Sequence, residues 1–238
     1  MSASHMTPAR PVFTVRTVQL LRALFAAIAA LMITFSSDHS ASVGLTVFGG
    51  FAVSTALVCV LAAWLVTPRG ARWPYLSLAA IAFVTGTVAG VPALHSPTMF
   101  FLIMIIWGAV SGLLETWVGV RERRARAQGA DATPLPDIDT SRDWLMSGGL
   151  AIVLALAVVA VPAQYSLNYS IEGAGNFTLT GITIAVGIFG GYVAILAVLL
   201  GIAGLTPRPA SAAPDESDSA ITEAPASRAT APDNGGIA

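Results

Sequence analysis

The chain has 238 residues, of which 55% are hydrophobic and 11% charged, with a formal net charge of −1 and a mean hydropathy of +0.75. Soluble domains carry roughly a quarter charged residues, so this composition excludes a water-exposed globule and makes the lipid bilayer the solvent of the fold. The charge balance carries no sign of nucleic acid and no such partner is expected; the informative quantity is where the charges lie.

Residues 1–15 are polar and broken by Pro8 and Pro11, and read as a disordered tail ahead of a membrane domain over 16–205. Arg10, Arg16 and Arg22 lead into an apolar run at about 18–35. A signal peptide has a similar basic start, with Ser40-Ala41-Ser42 as a small-residue cleavage site. The run is longer than a usual signal core, so it is read as the first membrane helix. Further runs follow at about 44–66, 75–94, 98–120, 145–163 and 181–205. Each approaches or exceeds the ~20 residues that cross the hydrocarbon layer. Only His95, Ser96 and Pro97 separate the third from the fourth, which makes those two antiparallel neighbours. The charged, proline-bearing stretch 121–143 reads as an aqueous loop. Residues 206–238, rich in Pro, Ala, Ser and acid, read as a second disordered tail.

Every basic residue is arginine, which with the abundant alanine suggests a GC-rich bacterial genome. With six spans, the arginines occupy alternate segments: 10 and 16; 69 and 72; 121, 123, 124, 126 and 142; 208 and 228. The intervening three loops hold none, so the positive-inside rule puts both termini in the cytoplasm. Trp64, Trp73, Trp117 and Trp144 then mark the inner boundary and Tyr165 and Tyr169 the outer one, as an aromatic belt.

The even-numbered runs share an aromatic residue followed by two small ones: Phe48-Gly49-Gly50, Trp107-Gly108-Ala109 and Phe189-Gly190-Gly191. The odd runs echo one another through Val91-Pro92-Ala93 and Val161-Pro162-Ala163. The expected architecture is an all-α membrane protein whose six spans form three consecutive hairpins in a compact bundle, related by an axis along the membrane normal. Chance recurrence of small and aromatic residues in apolar helices is the competing explanation. Lipid supplies no hydrophobic drive between helices, so close approach through small residues is needed. Gly49, Gly50, Gly86, Gly90, Gly108, Gly112, Gly187, Gly190 and Gly191 are the expected packing positions, the pairs 86/90, 108/112 and 187/191 having GxxxG spacing.

The run IIWGAVSGLLETWVGVRERR, residues 105–124, resembles the signature helix of the HdeD-like family of small bacterial membrane proteins, with its Trp, Gly and Glu ahead of a basic end. The resemblance covers about residues 17–205. Six spans built from hairpin repeats fit that family, and the resemblance implies an inner-membrane protein linked loosely to acid or envelope stress and brings no catalytic residues. The longer loop 121–143 and the long acidic tail depart from the family pattern.

Glu115 is the one acid inside an expected span. Helical spacing puts it on the face of Gly108 and Gly112, pointing into the bundle. It lies about two turns from Arg121, at a depth similar to that of Arg22. A structural ion pair between Glu115 and Arg22 is the leading expectation; a proton or ion relay is the alternative. On the opposite side the ionisable groups are Asp38, His39, His95 and Glu172, an outer face that could respond to pH or, for the first three, bind metal. Cys59 is alone, so no intramolecular disulfide or thiol metal site can form; a small buried hydrophobe is its expected role. No GxSxG, Walker, HExxH or CxxC motif is present, and Ser111, Thr116 and Cys59 have no histidine within the spans to act as base. A non-enzymatic protein without cofactor is expected, its partners being the bilayer and another membrane protein or a second copy. A small channel or transporter is the alternative, and a membrane-embedded enzyme the residual one.

Overall fold

The computed structural model describes residues 13–128, 138–171 and 175–206. The chain divides into two compact units, Met1–Thr206 and Pro207–Ala238; the second, like the first twelve residues and therefore most of both tails, lies outside the described residues. The first unit contains α1 (Val15–Phe35), α2 (Ala41–Leu65), α3 (Trp73–Ala89), α4 (Pro97–Ala127), α5 (Ile138–Ala160), β1 (Ser166–Ile171), β2 (Gly175–Thr180) and α6 (Gly181–Leu205). Five of the helices are long and apolar enough to cross a membrane; α3, at 17 residues, is shorter.

Helices form here because a backbone surrounded by lipid must satisfy its polar groups within its own segment. Local chemistry sets their ends. The Thr14 side chain accepts from the backbone N–H of Thr17 and starts α1 three residues before the expected span. Ser40 caps α2, Ser96 caps α4 and Thr180 caps α6, each accepting from the N–H three residues on. The third element departs from expectation. Instead of running to residue 94, α3 stops at Ala89, because Pro92 has no N–H and holds Val91 in extended conformation before a 3-10 turn at Pro92–Leu94. At 1.5 Å per residue, α3 is about 25 Å long.

Two further differences lie at loops. The expected aqueous stretch 121–143 is helical at both ends: α4 runs on to Ala127 and α5 already begins at Ile138. The link before α6, between the expected spans 145–163 and 181–205, contains an antiparallel hairpin pairing Ser166 with Thr180, Leu167 with Leu179 and Tyr169 with Phe177. The fold is thus mostly helical rather than purely α. The alternation of SLNYSI and GNFTLT between polar and apolar residues is a period-2 signal that marks a strand pair. The hairpin is tied at its base by the Gly181 N–H donating to the Tyr165 carbonyl at 2.9 Å.

Each helix packs on its neighbours in chain order, and α6 packs on α1, so the six close into a ring. The most extensive interfaces are α4 with α5, α1 with α6, and α2 with α3, rather than those within the expected hairpins. Small residues explain this. A Cβ on Gly112 would stand 2.8 Å from the Gly148 carbonyl oxygen, and one on Gly148 would stand 2.7 Å from the Thr116 nitrogen. These two backbones approach as closely as they do only because neither position has a side chain.

Large apolar residues face outward all round, among them Leu57, Phe83, Ile106, Leu113, Leu156 and Val198. The largest buried side chains come chiefly from the even-numbered helices. Phe48, Trp107 and Phe189, the aromatics of the recurrent motif, meet at the centre of the bundle with Phe51 and Tyr192. Phe48 lies 5.1 Å from Trp107 and 5.8 Å from Phe189, both edge-on, and Trp107 lies 5.8 Å from Tyr192.

Candidate functional site

The arginine-bearing helix ends converge. Arg22 Nη2 donates to Glu115 Oε1 at 3.0 Å, joining α1 to α4 across the bundle. Their side chains are only 12% and 5% exposed. α4 supplies the carboxylate by its periodicity: Trp107, Gly108, Ser111, Gly112, Glu115, Val118 and Gly119 form one buried stripe. Arg22 and Glu115 are within electrostatic reach of Tyr192 on α6 and the fully buried Cys59 on α2. α2 and α6 thus each bring a side chain up to the ion pair formed by α1 and α4, next to the aromatic centre.

Nearer the helix ends, the Gln19 amide donates to the Asp143 carboxylate. Gln19, Arg22, Asp143, Ser147, Tyr75 and Trp144 line a cleft of about 20 Å³ between α1, α3, α5 and α6. That is room for about one water, which needs roughly 10–15 Å³. Arg22 is the member of the ion pair that lines this cleft. Above it, Trp107 Nε1 and Thr55 Oγ1 are buried without a hydrogen-bond partner among the described residues, which fits a centre filled by rings. Sequence reasoning missed Gln19, Asp143 and Tyr192. Gln19 was legible as a polar residue three positions before Arg22, one helical turn away, but Asp143 fell in the stretch read as loop.

The expected packing glycines divide into two groups. Gly49, Gly86, Gly108, Gly112 and Gly190 sit against neighbouring helices: a Cβ on Gly108 would meet the Ala151 carbonyl oxygen at 2.9 Å, one on Gly190 would meet Ile33 at 2.7 Å, and one on Gly49 would meet the Gly86 carbonyl oxygen at 3.1 Å. Gly90 caps α3 and contacts its own last turn, with Gly49 beside it. For Gly50, Gly187 and Gly191, however, an added Cβ would meet nothing within 4 Å. The GxxxG of α6 therefore lies on its outward face. Its packing positions are Gly190 and Gly204, the latter against Leu20. Gly44, Gly119 and Gly148 also make close approaches that spacing alone did not indicate.

At the opposite end the ionisable residues do not converge. Asp38 accepts from the backbone N–H and hydroxyl of Ser40 at 2.9 and 2.8 Å, bracing the start of α2. His95 bridges α2 to α3, with Nδ1 2.9 Å from the Ser42 hydroxyl and Nε2 2.9 Å from the Ala89 carbonyl. A carbonyl only accepts, so Nε2 carries the proton and Nδ1 accepts from Ser42. Among the described residues no group of three His, Cys, Asp or Glu is placed to hold a metal ion. Glu172 lies outside the described residues.

Comparison of the chain with protein-family models, with curated proteins and with solved structures finds no match.

Proposed function

We infer that this chain is a non-enzymatic, six-span protein of the bacterial inner membrane, of HdeD-like type, with both termini in the cytoplasm. Its three hairpins, α1–α2, α3–α4 and α5–α6, are repeats that each contribute one aromatic to a shared centre. It works by helix packing, with a second copy or another membrane protein, as an envelope or stress-associated component. The observation that carries this reading is the centre itself: Phe48, Trp107 and Phe189 come from equivalent motif positions and fill the space a conducting path would need. The Arg22–Glu115 pair is then an anchor, an internal tie that sets the relative positions of α1 and α4.

A channel or transporter is the second reading, and the cleft at Gln19, Arg22 and Asp143 is the feature that favours it. Reconstitution separates the two. Purified protein in vesicles with an internal pH dye should carry no proton or ion current above empty vesicles, and should be recovered from membranes with a stoichiometric partner or as a defined oligomer. A current that disappears in Glu115→Gln, with the variant still folded, overturns the packing role in favour of transport.

A further inference from the structure

At the arginine-bearing end of the seam between α3 and α4, Trp73 and Trp117 pack edge-on with ring centroids 5.2 Å apart. The guanidinium of Arg121 lies over both rings, 5.9 Å from Trp73 and 5.6 Å from Trp117. Arg121 makes no ion pair or hydrogen bond among the described residues. Its sequence neighbour Glu122 points away from it, since adjacent helical residues do not share a face, and the guanidinium acting on that carboxylate is Arg126. Arg121 therefore holds a full charge and an unused fork of N–H donors, with its plane restrained by two indoles.

We propose that this seam is a binding site for the phosphodiester headgroup of an anionic phospholipid. Arg121 takes two phosphate oxygens with its fork, the geometry that distinguishes arginine from lysine. Trp73 and Trp117 sit at the level of the glycerol backbone, where indole rings concentrate in membranes. From there the acyl chains run along the outward surface of the same two helices, over Leu113 and Ile106 of α4 and Leu76 and Phe83 of α3, all more than 40% exposed. Charge complementarity selects the headgroup, and continuity with the lipid-facing surface selects a lipid over a soluble phosphate. The seam also suits a ligand because α3 and α4 pack less extensively than α3 does with α2 or α4 with α5.

Quenching of tryptophan by brominated lipid tests the site. In a Trp64→Phe background the remaining tryptophans are the pair at the seam and the buried Trp107 and Trp144. Reconstitution in vesicles mixing phosphatidylglycerol and phosphatidylcholine, with one or the other brominated, should show about a five-fold preference for phosphatidylglycerol next to the seam, the selectivity of one well-placed arginine. Arg121→Gln should lose the preference and Arg121→Lys should retain only part of it, because lysine keeps the charge that favours the anionic lipid but lacks the fork that holds its phosphate. Circular dichroism and the thermal midpoint confirm that each variant is folded. Three results overturn the proposal: equal quenching by the two lipids in the parent protein, a preference undiminished in Arg121→Lys, which would mean diffuse surface charge, or displacement of the lipid by inorganic phosphate, which would mean a soluble ligand.

Discussion

Removing either partner of the Arg22–Glu115 pair should destabilise the protein far more than removing both. The charge centres lie about 4 Å apart, which at an effective dielectric constant of about 20 corresponds to about 4 kcal/mol of attraction. Desolvation of two buried groups offsets much of that, so the intact pair contributes little net stability. Losing one member leaves the other charged in a site that is nearly closed to water, with the Arg22 and Glu115 side chains only 12% and 5% exposed. Arg22→Met and Glu115→Leu should therefore each cost about 3–5 kcal/mol, while the double variant should lie within about 2 kcal/mol of the parent. The coupling is then at least about 4 kcal/mol, beyond the ~0.5 kcal/mol within which independent sites add. Reversible unfolding in mixed micelles, followed by circular dichroism at increasing SDS, measures all four corners of the cycle. Additive losses, with the double variant as unstable as the two singles summed, would show that the two side chains do not act as a pair and would refute the anchor.

Gly112→Ala and Gly148→Ala should each cost about 1–3 kcal/mol in the same assay, because the new methyl meets backbone 2.7–2.8 Å away. Gly187→Ala and Gly191→Ala, where nothing lies within 4 Å, should be neutral or stabilising by up to about 1 kcal/mol through helix propensity; equal losses at the two sets would contradict the assigned packing faces. Cys59, fully buried on α2, should resist a small membrane-permeant maleimide in the folded protein and react once SDS unfolds it. Fast labelling of the native state would mean that the bundle centre is wet. His95→Ala should raise amide exchange at the start of α2 and the end of α3 by removing the bridge from Ser42 to Ala89, at a stability cost of about 1 kcal/mol; unchanged exchange there would show that the histidine ties nothing.

What the sequence determines by itself is largely what a single segment must satisfy alone. A run such as 181–205 has to be helical because lipid accepts no unpaired backbone group, and its observed bounds agree with the expected ones. Gathering of the arginines at one end follows from chain order once the runs are helices. The strands at 166–171 and 175–180 are legible too, as polar and apolar residues in alternation, a period distinct from the long apolar runs of the spans.

Partner choice belongs to the tertiary structure. GxxxG spacing places two glycines on one face of α6 without saying which face the ring turns inward, and packing against α1 selects Gly190 and Gly204 over Gly187 and Gly191. The extent of the α4–α5 interface depends on Gly148, whose value appears only when Gly112 is opposite it. Glu115 declares from sequence alone that a charge is to be buried, and Arg22 is a natural candidate by depth. That the two meet at 3.0 Å, with Tyr192 and Cys59 around them, depends on ring closure between helices far apart in the chain. Local sequence sets which groups must be satisfied, and only the closed bundle supplies the neighbours that satisfy them.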